Sequence, residues 1–162
     1  MRTAPEELKL PSQDRIRMSI QENAKERFRD LSQQVHSIDR TMSTLDRHLG
    51  DMRKSLEKIV KQYPPYPPES AERIENLRRF NALRKIIEQL TFPHKENDPD
   101  IITENRNQVV GPDAISLPEI GPKAEDGQIA ALLEKVKGAQ YSHRQKHQRF
   151  IAEANEAIDQ IG

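Results

Sequence analysis

Between Phe28 and Tyr63 the apolar residues recur in strictly alternating steps of three and four: Phe28, Leu31, Val35, Ile38, Met42, Leu45, Leu49, Met52, Leu56, Ile59 and Tyr63. An unconstrained amphipathic helix drifts around a period of about 3.6 and breaks so strict a pattern, whereas a sustained period of about 3.5 marks the seam of a left-handed supercoil. The intervening residues are almost all polar. The spacing therefore predicts one very long helix with a single narrow apolar stripe. Ordering each backbone residue costs about 1–2 kcal/mol, and a buried large side chain returns about 1.5–3. With about one residue in 3.5 on the seam, the helix needs a second helix to cover it.

The seam's flanks indicate where that cover comes from. One flank reads Arg27, Gln34, Thr41, His48, Ser55, Gln62, and the other Ser32, Asp39, Asp46, Arg53, Val60. Dimeric zippers write partner choice there in Glu–Lys pairs. Their scarcity favours packing against the same chain. Composition agrees with a thin assembly: 34% of the 162 residues are hydrophobic, 4% aromatic and 32% charged. This suits helices that bury a seam rather than a thick core.

Residues 1–11, punctuated by Pro5 and Pro11, read as an arm. Ser12 is an N-cap candidate, with Asp14 in the first turn where the helix dipole favours an anion. From Ile16 the apolar steps are four, four, four through Ile20, Ala24 and Phe28, and then the heptads begin. A helix over 12–62 is about 75 Å long. Gly50 interrupts it on the polar side, at a cost of about 1 kcal/mol against Ala, and permits a bend. Residues 63–69 (Tyr63-Pro64-Pro65-Tyr66-Pro67-Pro68-Glu69) stop the helix, because proline lacks a donor and restricts its predecessor. They form an extended corner, which also satisfies P-x-x-P.

Ser70 is predicted to cap a second helix over 70–90, with an apolar face of Ile74, Leu77, Phe80, Leu83, Ile86, Ile87 and Leu90. That stripe is wide enough to meet more than one neighbour. Arg78, Arg79, Arg84 and Lys85 lie among Glu72, Glu75 and Glu88 and read as a solvated face. Residues 91–127 are rich in Pro and Gly and carry five more acids than bases. They are expected to be the least regular part of the chain. Asp98-Pro99 offers a cap for a short helix, and Ile115, Leu117 and Ile120 alternate so as to lie extended along the bundle. A last helix, over about 128–161 with Asp126 at its start, has the seam Ile129, Leu132, Val136, Ala139, His143, His147, Phe150, Ala154, Ala157 and Ile161. The alternation of threes and fours is broken once, by a second consecutive step of four from His143 to His147, which loosens the supercoil locally. The second and last helices, about 30 and 50 Å long, together match the first. The fold expected is an all-α, elongated antiparallel helical hairpin or coiled-coil bundle in a single domain spanning 1–162.

Chemistry is sparse. His143 and His147 are spaced i, i+4, as in H-E-x-x-H, but the glutamate is missing and Arg144, Lys146 and Arg149 repel a cation. Two polar seam residues setting register are the better reading, with a metal site the alternative. His36, His48 and His94 show no paired spacing. No nucleophile elbow, phosphate loop or calcium-loop spacing occurs, including around Asp98, Asp100 and Glu104. Cysteine is absent, which removes disulfides and thiolate chemistry. Lys plus Arg equals Asp plus Glu at 26 each, so there is no global pull toward nucleic acid. No apolar run reaches the about 20 residues that span a bilayer. Met1–Leu10 lacks a signal-peptide core, and a cytoplasmic address is expected, with export lacking a cleaved signal still compatible. The sequence thus points to a non-enzymatic structural, assembly or protein-interaction role without a cofactor. The partners expected are other proteins or a second copy, with no nucleic acid and no membrane insertion.

Two stretches carry a resemblance. Arg79-Phe80-Asn81-Ala82-Leu83 in the second helix and Ile151-Ala152-Glu153-Ala154-Asn155-Glu156-Ala157-Ile158 in the last, beside a long N-terminal heptad helix, resemble the α-helical core of bacterial flagellins. They equally resemble the helical proteins that handle flagellins. The resemblance implies a filament-forming or secretion-chaperone role. The high charge and the proline-rich acidic segment depart from the flagellin pattern.

Overall fold

The heptad pattern and the proline stop produce a helix of 49 residues, α1 (Ser12–Val60), about 74 Å long at the usual rise. The computed structural model describes residues 12–90 and 115–161, with side chains from residue 15 onward. The expectations for the arm at 1–11, the caps Ser12 and Asp14, His94 and the Asp98-Pro99 turn lie outside the described residues and side chains. α1 ends two residues earlier than the spacing suggests. Its last turn closes through Lys61 N–H to the Glu57 carbonyl at 2.9 Å and Gln62 N–H to the Ile59 carbonyl at 3.3 Å. The corner then leads into α2 (Ala71–Gln89). After a strap at 115–125, α3 (Asp126–Ile161) completes the fold. The described chain is all-α, with no strand among the described residues.

Both shorter helices pack on α1, and both run antiparallel to it, since α2 leaves the corner after Val60 and its end at Arg84 and Ile87 lies by Met52. For α3 the register is explicit. Gln140 meets Gly50, Arg144 bonds Asp46 at 2.9 Å, His143 reaches Met42, and His147 reaches Asp39. Ile161 lies by Phe28. The matched lengths suggest that α2 and α3 divide α1 between them, but they do not lie end to end. Both start at the proline corner, side by side: Arg73 near the start of α2 bonds Asp126, the first residue of α3, at 2.8 Å. The bundle is therefore thickest at the corner. Among the described residues it thins to the α1–α3 pair beyond α2, and then to α1 alone.

The strap 115–125 accounts for this difference, because it carries the chain back along α2 before α3 begins. It carries no helix or strand and lies along the bundle. Leu117 and Ile120 are buried and Ile115 packs against the core. Asn81 grips the strap backbone on both sides, donating to the Ile120 carbonyl at 2.7 Å and accepting the Ile120 N–H at 3.1 Å. Arg84 donates to the Leu117 carbonyl at 2.7 Å. An extended segment has no internal partners for its backbone groups, so these side chains satisfy them. Ser70 has the extended backbone of an N-cap, yet its hydroxyl bonds the Glu72 carboxylate at 2.7 Å and no helix N–H. That bond holds the Glu72 carboxyl below its usual range.

Candidate functional site

The α1 seam divides into two parts. Leu31, Ile38, Met42, Leu45, Leu49, Met52, Leu56 and Ile59 are buried, with Val35 half-buried against them. The two ends of the expected seam differ. Tyr63 is 90% exposed, because the chain has already left the helix for the corner. Phe28 is 48% exposed, because α3 reaches only its level through Ile161. On α2, Leu77 and Phe80 are buried, Ile74, Leu83 and Ile87 are half-buried, and Ile86 is exposed. The stripe is thus narrower than its apolar content suggests. Arg73 occupies part of the buried face, which no periodicity of apolar residues reveals.

Arg73 is 2% exposed. Its Nη2 donates to the Ala124 carbonyl at 2.7 Å and to Asp126 at 2.8 Å, while Nε and Nη1 are buried without partners. It ties α2, the strap and α3 together at the corner. Gly50 faces α3 rather than open solvent: a Cβ there would lie 3.4 Å from the Gln140 amide nitrogen. Gln140 and Leu133 are buried beside the α3 seam and widen it on that side.

The two histidines both face α1 but engage different groups. His143 is 2% exposed, and its Nε2 lies 2.8 Å from the Met42 carbonyl oxygen. A carbonyl only accepts, so Nε2 carries the proton, and Nδ1 is buried without a partner. Burial pushes this imidazole below its usual range, and the Met42 carbonyl opposes the shift. His147 is partly exposed, and its Nε2 donates to Asp39 at 2.6 Å. The ring centroids are 6.2 Å apart. Each ring's Nε2 is thus committed to α1 rather than to a point shared by the two. Among the described residues no group of three or more His, Cys, Asp or Glu is placed to hold a metal ion.

Several exposed large hydrophobic residues lie on α1 itself, from Ile16 to Phe28. Ile16 and Ile20 are 60% and 62% exposed, and Met18 is exposed as well. Where the α3 end meets α1, Ala24, Phe28, His36 and Ile161 help line an open groove of about 600 Å³. Scattered exposed apolar residues are ordinary on any surface. Here Ile16, Ile20 and Phe28 fall on one line with a groove at its end, while Met18 faces the opposite side. Among the described residues no helix is long and apolar enough to cross a membrane. No known protein family, no curated protein and no solved structure matches this chain.

Proposed function

We propose that this chain is a non-enzymatic interaction protein in which α1 serves as a strut: its corner end is locked into a bundle, and its N-terminal third projects as a docking arm. The observation that supports this reading is the continuation of the apolar stripe past the reach of α3, through Phe28, Ile20 and Ile16. A helix whose stripe extends beyond its intramolecular cover suits a partner that completes it. A cytoplasmic setting belongs to the same proposal and is consistent with the lack of cysteine.

The test compares partners recovered from the native host by the parent chain and by an Ile16→Asp/Ile20→Asp variant. A partner held by the parent and lost by the variant is the expected result. Identical recoveries by the two would overturn the docking arm. The flagellin-like or flagellin-handling role rests only on the two resembling stretches. Part of the first serves packing in this chain, since Phe80 is fully buried and Asn81 holds the strap.

A further inference from the structure

Steps of four in a helix of about 3.6 residues per turn advance each residue about 40° beyond a full turn. The line Ile16, Ile20, Ala24, Phe28 therefore winds around α1 as an i±4 ridge, unlike the straight heptad seam below it. Residues one step either side of each ridge position form two flanking rows. One row carries Arg17, Lys25 and Arg29, and the other Arg15 and Arg27, all exposed. The residues two steps away form the back of the helix and carry Met18, Glu22, Glu26 and Asp30, also exposed. The chain has no net charge, yet around this ridge bases border the apolar residues and the acids are turned away.

We infer that the projecting ridge of α1 docks an amphipathic helix of a partner protein whose apolar stripe is bordered by acidic residues. The inference rests on the docking-arm reading above and adds the chemistry of the occupant. Ridge packing of the i±4 kind sets helices at about −50° to each other. The partner thus crosses α1 near Ala24 and does not extend α3 along its own line. Its end abuts the groove at Phe28 and Ile161, where the ridge joins the existing α1–α3 interface.

Three other occupants fit less well. In a second copy paired ridge to ridge, the basic rows meet each other, and such like-charge contacts oppose association. A bilayer surface calls for a broad apolar face of at least about 100°, whereas this ridge is a single file of side chains. The chain's own acidic segment is long enough to span to Phe28, about 36 Å from Met52 along α1, but not to Ile20 or Ile16. Residues 91–114 leave and return near Met52, where Ile87 and Ile115 lie together. Half of that length, fully extended, spans about 41 Å. Ile20 lies about 48 Å from Met52 along α1.

The experiment uses the full chain and two designed helical peptides with the same leucine ridge, one bordered by Glu and the other by Lys, with binding followed by fluorescence anisotropy. The expected result is binding of the Glu peptide at least tenfold tighter than the Lys peptide, weakening several-fold between low and high salt. Ile20→Asp should abolish it while the thermal melt stays at the parent value. Equal, Ile20-dependent affinity for both peptides would overturn the acidic partner but keep the docking arm. Failure of both peptides to bind would count against the arm as well. Vesicles containing phosphatidylserine and sedimentation of the chain alone complete the test. Ile20-dependent binding to vesicles would assign the ridge to a membrane surface, and Ile20-dependent dimerisation would assign it to a second copy. Either result overturns the inference.

Discussion

The carbonyl oxygen of Met42 accepts the Nε2–H of His143 across the α1–α3 seam at 2.8 Å, and this contact fixes which ring nitrogen carries the proton. The other nitrogen, Nδ1, is buried with nothing to bond. A second proton at Nδ1 would place a charge in the seam with no partner for it.

This arrangement makes stability pH-dependent in one direction. Burial lowers the His143 pKa in the fold, so below about 6.5 the unfolded chain takes up a proton that the folded chain resists. Stability is full above that value and falls as pH drops through the window beneath it. The nearby charges of Asp46, Lys146 and His147 modulate the effect, Asp46 against it and the other two with it. Melting curves between pH 7.5 and 5 should show a falling midpoint, and His143→Leu should flatten that slope while keeping or raising the midpoint at pH 7.5.

Metal should leave the melt alone. A ligand of the native state must raise the midpoint by mass action, but the Nε2 of each histidine is already bonded to α1. After chelator treatment, added zinc or nickel is expected to produce no shift. A rise that disappears in the His143→Leu/His147→Ala double variant would bring metal binding to the front.

Two substitutions of the same kind should separate the locked and projecting parts of α1. Leu45 is 2% exposed, and Leu45→Asp places an unpaired charge in the seam at a cost of several kcal/mol. Ile20→Asp lies on the projecting third, and a surface change of that kind stays within about 0.5 kcal/mol. Thermal or urea unfolding measures both, and equal losses would show that the arm is packed.

Arg73 and Asp126 should respond unequally. Asp126 is 69% exposed as a side chain, so removing Arg73 leaves an acid that water can solvate. Arg73→Met also relieves two unpartnered buried nitrogens and should change stability by no more than about 1 kcal/mol. Asp126→Asn leaves the guanidinium buried with its charge uncompensated and should cost about 1.5–3 kcal/mol. Urea unfolding of the two variants checks the order.

Gly50→Ala should stabilise the protein. Alanine gains about 1 kcal/mol over glycine in a helix interior, and its Cβ would meet only the far end of the flexible Gln140 side chain at 3.4 Å. A higher melting temperature is the expected outcome.

The periodicity of apolar residues carried the long helix and the face that it buries. Residues from Leu31 to Ile59 at steps of three and four line the core, as do Ile129, Leu132, Val136 and Phe150 on α3. A repeat cannot say where along its length one helix meets another, and so the side-by-side start of α2 and α3 was not legible. Nor was the grip of Asn81 and Arg84 on the strap, since it depends on which backbone groups lack partners after folding. The exposure of Phe28 follows from the same limit: the heptads run on, and only the position of Ile161 shows where their cover stops. A cue was present in the change from steps of four to alternating steps at Phe28.

The tapering of the bundle from the proline corner to bare helix has a further consequence. Cooperative unfolding is confined to residues that share packing, so the projecting third of α1 belongs to the same helix as the core but not to its cooperative unit. Its amides should exchange with solvent far sooner than those near Leu49. Substitutions in it are screened by what it contacts and not by whether the chain folds. Under the proposed docking role, recognition and foldability are written in separate stretches of one continuous helix, and the residues from Ile16 to Phe28 could be rewritten for a new partner without retuning the bundle that holds them out.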